Sequence, residues 1–231
     1  MRKKSGYLYC FSPMVMLVTF ILELLMTLSI LVRSRFKITH DTGLIVLILG
    51  LLASFQAVEY LVCADVKHTF LLAKIGFFSI TLLPPLGIHL GYSLARQRRH
   101  PHILVPYMTA ILLNAMFLLS PLTVKNVVCN GNYVIFELPF VLSMAYGFYY
   151  QGFLLYGLMS AFHLSHEVHT EKRAQRLRWL GFGYTVFMLP TAIVAFLRSE
   201  TLYAIPSIMC GFAVILAFIL YLKVYQPPKK T

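Results

Sequence analysis

Seven long, nearly uncharged apolar stretches dominate this sequence and leave it few ways to fold. They cover residues 11–32, 43–63, 70–94, 103–122, 134–162, 180–197 and 204–224. A helix needs about 20 mostly apolar residues to cross a bilayer core. Inside hydrocarbon every backbone N–H and C=O must be paired within the segment, so stretches of this kind adopt helices. Composition agrees: 59% of the 231 residues are hydrophobic and only 12% are charged, against roughly 25% charged in a soluble domain. The expected fold is an all-α polytopic membrane protein, a bundle of seven transmembrane helices forming a single domain over residues 1–231. The first stretch is too long for the apolar core of a secretion signal, and no small-residue cleavage site follows it. It therefore reads as the first membrane helix.

The charges fall between the stretches. The net charge is +12, but no basic patch on a folded surface is available for nucleic acid, and the pattern excludes that partner. Arg33, Arg35, Lys37, Arg96, Arg98, Arg99, Lys172, Arg173, Arg176, Arg178, Lys223, Lys229 and Lys230 fall on one side of the membrane. Arg2, Lys3, Lys4, Lys67, Lys125 and Arg198 fall on the other, with Lys74 just inside a helix. Basic loops stay in the cytoplasm. The larger set therefore puts the C-terminus in the cytoplasm and the N-terminus outside, with Arg2, Lys3 and Lys4 dissenting. The bilayer is the expected environment, and the basic segment around Lys172–Arg178 suits anionic headgroups. Cys63 and Cys129 both fall on the outer, oxidising side, where a disulfide is expected; the alternative is four separate thiols with Cys10 and Cys210.

Ionisable groups in a membrane span are costly and mark functional candidates. Glu23 lies near the middle of the first stretch. Glu59 and Lys74 lie at similar depth near the outer ends of the second and third, and Glu137 at the outer start of the fifth. Two readings stand side by side. One is a Glu59–Lys74 ion pair pinning two helices. The other is an outward-facing ligand pocket of Gln56, Glu59, Tyr60, Lys74 and Glu137. Pro84 and Pro85 interrupt the third stretch and predict a kink or hinge. Gly87 and Gly91 follow as a close-packing face, with His89 between them as a packed, hydrogen-bonded side chain. The tyrosines of the fifth stretch, Tyr146, Tyr149, Tyr150 and Tyr156, need hydroxyl partners and predict an interior-facing side. His163, His166 and His169 read as a solvated helical extension, with no metal site assigned.

No catalytic motif is present: there is no phosphate loop, HExxH or GxSxG. Asp41 and Asp65 are the only aspartates, and both read as loop residues. Lys223 lies at the cytoplasmic end of the last stretch, so a retinal Schiff base is excluded. No cofactor is expected.

Ala57-Val58-Glu59-Tyr60, Leu72-Ala73-Lys74-Ile75-Gly76-Phe77 and Leu82-Leu83-Pro84-Pro85-Leu86 resemble the seven-helix sensor region at the N-terminus of some bacterial histidine kinases. Ser120-Pro121-Leu122, Gly131, Gln175 in the basic segment and Leu189-Pro190 extend the likeness over most of the chain. The resemblance implies a sensor bundle in a bacterial cytoplasmic (inner) membrane and carries over no binding residue. Such a kinase continues into a dimerisation helix and an ATP-binding domain, whereas residues 225–231 alone follow the seventh stretch. The expectation is a stand-alone, non-catalytic receptor-type module. It would bind a small or lipidic ligand in its outer half and signal to a protein partner in the membrane or cytoplasm. An accessory or assembly subunit of a larger membrane complex is the alternative, and a small transporter or lipid enzyme using Glu59, Glu137 or His89 comes third.

Overall fold

A computed structural model describes residues 13–34, 38–64, 68–97, 100–119, 126–129, 134–197 and 205–227. The chain order is α1 (Pro13–Arg33), α2 (His40–Ala64), α3 (Thr69–Thr81), α4 (Leu83–Ala95), α5 (His100–Leu119), β1 (Asn126–Cys129), β2 (Val134–Glu137), α6 (Phe140–Glu167), α7 (Glu171–Leu197) and α8 (Ile205–Ile219). A π-helical turn, Leu220–Val224, closes the last helix. Among the described residues, four segments are long and apolar enough to cross a membrane: Met16–Arg33, His40–Val62, Thr69–Ala95 and Pro101–Leu119. The third is α3 and α4 taken together. The surface is apolar in the way lipid requires, with Leu119 83% and Val141 77% exposed, while Glu23, Gln56, Glu59 and Asn114 are buried. A water-soluble surface does not carry so much contiguous apolar area.

The expected all-α chain gains a small antiparallel hairpin. β1 pairs with β2 in the register Asn126 opposite Glu137 and Cys129 opposite Val134. The fifth apolar stretch was expected to be helical from residue 134, but Val134-Ile135-Phe136-Glu137 is strand and the helix begins only at Phe140. β-branched and aromatic residues favour the extended backbone, and Leu138 precedes Pro139, which disfavours helix at that position. Phe136 is buried and anchors the hairpin to the bundle. Its ring meets Phe55 of α2 and Phe77 of α3 at 6.3 and 5.5 Å between centroids. Phe77 in turn stacks on Phe117 of α5 at 4.5 Å.

The sixth stretch is also longer than its apolar part. α7 starts at Glu171 rather than residue 180. Its first turns are built from Lys, Arg, Gln, Ala and Leu, good helix formers. Ala174, Leu177 and Leu180 repeat every three residues and are buried. An apolar window misses such an amphipathic start.

Between α3 and α4 the helix breaks at Leu82, with Pro84 and Pro85 in the first turn of α4. Each proline lacks the N–H that would bond the carbonyl four residues back, which strands the carbonyls of Ile80 and Thr81. Both find other donors. The Leu82 N–H bonds the Ile80 carbonyl, and the Tyr149 hydroxyl of α6 donates to the Thr81 carbonyl at 2.5 Å. Tyr146, one turn earlier on α6, meets the Thr81 hydroxyl at 3.2 Å. The expected interior-facing tyrosines thus serve the proline break directly. Past the break α4 packs on α2, α5, α6 and α7. Its Gly91 lies against Leu180 of α7. Arg96, in the left-handed conformation at φ 56°, ends it.

Tyr149→Phe keeps the ring and removes the donor. The expected outcome is a loss of about 0.5–1.5 kcal/mol in unfolding free energy, measured by denaturation of the detergent-solubilised protein.

Candidate functional site

The α2 face expected to line an outward-facing pocket is packed into the bundle. Gln56 and Glu59 are 2% and 1% exposed, and Tyr60 beside them is half-buried. Lys74 is half-buried on α3 and donates to the Leu118 carbonyl at the end of α5, at 3.1 Å. A carbonyl near a helix C-terminus carries partial negative charge and is a ready acceptor for an ammonium. Glu137 is placed on β2 opposite Asn126. β1 lies against α3 and β2 against α2, so the hairpin covers this end of the bundle. The Glu137, Cys63 and Cys129 side chains lie outside those the structure describes, and so does the disulfide expected between the two cysteines. Pro84 and Pro85 sit at the α3–α4 break, where a hinge was expected.

Glu23 is fully buried at mid-helix in α1, and neither carboxyl oxygen has a hydrogen-bond partner among the described residues. A carboxyl buried in this way is costly.

The richer polar assembly lies at the other end, where the basic loops are. The first turn of α2 supplies His40 and Asp41. His40 Nδ1 is 2.9 Å from the Ser93 hydroxyl of α4, and Ser93 donates to Asp41 Oδ1 at 2.5 Å. Asp41 Oδ2 then meets the Arg176 guanidinium of α7 at 3.4 Å. Arg176 Nε donates to the Val224 carbonyl at 2.7 Å, at the end of the π turn. A single chain of contacts thus joins α2, α4, α7 and the π turn. The Arg176 side chain is 13% exposed and Asp41 26%. Burial lowers the guanidinium from its ordinary value, and the charge and hydrogen bond of Asp41 pull it back up; arginine stays charged throughout.

Around this chain, the His40 and His89 rings lie 5.0 Å apart. His89 Nδ1 pairs with the Tyr107 hydroxyl of α5 at 3.2 Å, as a packed, hydrogen-bonded histidine should. Tyr92 of α4 and Tyr156 of α6 join hydroxyls at 2.9 Å, and Tyr156 also reaches His102 of α5. Glu167 pairs with His163 at 3.0 Å and accepts from Gln97 at 2.7 Å. Ser34, just past α1, and Ser29 of α1 bond the hydroxyls of Tyr225 and Tyr221, both at 2.9 Å. Asp41, read from the sequence as a loop residue, is thus a helical one at the centre of the network.

Chemically the chain orients groups rather than activating them. A serine nucleophile needs a histidine between it and the carboxylate. Here Ser93 lies between His40 and Asp41, and its proton is held by the carboxylate directly. Sequence reasoning missed His40, Asp41, Ser93, Tyr107 and Arg176. Their one signal was shared: each is a polar residue close to the same end of its stretch, with four stretches contributing.

No protein-family model matches the sequence, and a comparison with curated proteins finds no significant match.

Removing one partner of a buried charge pair strands the other. Asp41→Asn is expected to cost about 1–3 kcal/mol of stability. Arg178→Met, which breaks the exposed Arg178–Glu171 contact, should change stability by less than about 1 kcal/mol. Urea unfolding of both variants in one detergent checks the contrast.

Proposed function

We propose that this chain is a non-catalytic sensor module of a bacterial cytoplasmic membrane, with seven spans, its N-terminus outside and its C-terminus in the cytoplasm. A small or lipidic ligand acts on the half that carries Gln56, Glu59, Tyr60, Lys74 and the hairpin. A protein partner reads the basic end. The observation that carries this reading is the α3–α4 rod. It is broken at Leu82, it bears Lys74 above the break, and it bears Ser93 of the Asp41–Arg176–Val224 chain below it. A tilt of α3 against α2 turns α4 about the break. It thereby bears on the contacts that hold the π turn against α7. A coupling of this kind requires two arrangements that differ in affinity for the ligand. The resemblance to kinase sensor regions and the basic residues gathered at one end support the same reading.

Two measurements test it. Small and lipidic compounds are screened for thermal stabilisation of the wild-type protein, then of Glu59→Gln and Lys74→Met. A stabilising compound whose effect both substitutions reduce at least tenfold in apparent affinity is expected; stabilisation that survives both places the site elsewhere. For orientation, His169→Cys in a cysteine-free background should react with an impermeant maleimide only after the cells are opened. Labelling of intact cells would reverse the topology.

A further inference from the structure

The last helix carries an apolar strip that ends between two cations. Ile215, Phe218 and Leu222 are 41%, 40% and 63% exposed, while Leu216, Ala217, Ile219 and Leu220 between them are buried. Spacings of three and four residues put the exposed set on one side of the helix. α8 packs on α7 and on α1, and each of these neighbours takes part in seating one cation on an aromatic ring at the basic end.

Lys223 Nζ lies 5.1 Å from the centre of the Trp179 ring of α7. That ring is met edge-on by Phe182 at 5.7 Å. The Arg33 guanidinium, at the end of α1, lies 5.8 Å from the centre of the Tyr221 ring, whose hydroxyl is bonded to Ser29. Tyr221, Leu222 and Lys223 are consecutive in the π turn, so the strip ends at Leu222 between the two seats. A cation resting on a ring face keeps N–H donors for an anion. Lys223 and Arg33 are both exposed. Among the described residues neither pairs with a carboxylate: Asp41 takes Arg176, Glu171 takes Arg178 and Glu167 takes His163.

Tryptophan and tyrosine favour the level of the lipid headgroups, and long basic side chains reach up to that level from apolar surface. An acidic peptide or free phosphate would use the two cations and leave the strip uncovered. A lipid with no net charge would use the strip and leave the cations uncompensated. We propose that this face of α8 is a binding site for an anionic glycerophospholipid, its phosphate held by Lys223 and Arg33 and an acyl chain lying along Leu222, Phe218 and Ile215. Such a lipid holds from outside the same π turn that Arg176 holds from within through the Val224 carbonyl. The inference rests on the bundle lying in a membrane and not on the sensor reading.

Trp179 is the only tryptophan in the sequence, so indole fluorescence reports this site alone. The full chain is reconstituted in phosphatidylcholine vesicles that contain, at equal mole fraction, phosphatidylglycerol or phosphatidylcholine with brominated acyl chains, which quench an indole they touch. Brominated phosphatidylglycerol is expected to associate with Trp179 of the wild type about fivefold more strongly than brominated phosphatidylcholine. Lys223→Met and Arg33→Met should each at least halve that preference, and the double variant should remove it; unchanged quenching by brominated phosphatidylcholine shows that each is folded. Lys172→Met removes an equal charge from an exposed position in the first turn of α7 and should leave the preference as it was. Equal association of the two lipids with the wild type overturns the proposal. So does a preference that survives the double variant, or one that Lys172→Met lowers as much as Lys223→Met, the mark of general surface charge. Fluorescence that neither lipid quenches also overturns it, and puts protein, such as a second copy of the chain, over this face.

Discussion

Two adjacent prolines at the middle of a buried helix remove two backbone donors where no water can replace them, and much of the bundle is arranged around that loss. The stranded Thr81 carbonyl takes the hydroxyl of Tyr149, which fixes the rotation of α6 against α3. Tyr146 on the same face bonds the Thr81 side chain. The break then lets α4 take its own direction, with α2, α5, α6 and α7 around it. Gly87 and Gly91 turn towards α7, where Tyr184 and Leu180 meet them. A straight α3–α4 rod would need neither tyrosine, and α4 would lose its central place.

The two ends of the bundle are held by different forces. At the hairpin end the contacts are aromatic: Phe55, Phe77, Phe117 and Phe136 form one cluster, joined by Tyr146. Such packing is strong but weakly directional. At the basic end, the contacts are hydrogen bonds and one ion pair in series, from His40 through Ser93, Asp41 and Arg176 to Val224. These are directional and break over small displacements. An element that shifts is therefore tolerated at the first end and registered at the second. That asymmetry suits a module in which one half receives and the other reports.

Much of this was legible in the apolar stretches. Their length requires helices, and the structure has a helical rod in each. The proline pair announced the break, and the tyrosines of α6 announced an interior that needed hydroxyl partners. The hairpin was not legible, because Val134 to Glu137 continue an apolar stretch without a gap; only Leu138-Pro139 hinted at a strand ending there. Lys74 was read towards Glu59 because the two share a depth; its bond to the Leu118 carbonyl was not legible, because depth does not give azimuth. The basic-end chain was invisible for a related reason: His40, Asp41, Ser93 and Arg176 look like unremarkable polar residues at the ends of separate stretches.

The sequence by itself determined that long apolar segments build helices, that the third breaks at its prolines, and which end of the bundle is basic. These are properties of hydropathy, proline geometry and charge counted along the chain. Only the tertiary structure decided which polar side chains meet. Hydrogen bonds act over about 3 Å, and neighbours at that range depend on the rotation and tilt of each helix. Those are set by how side chains of different helices interlock, which no single stretch encodes.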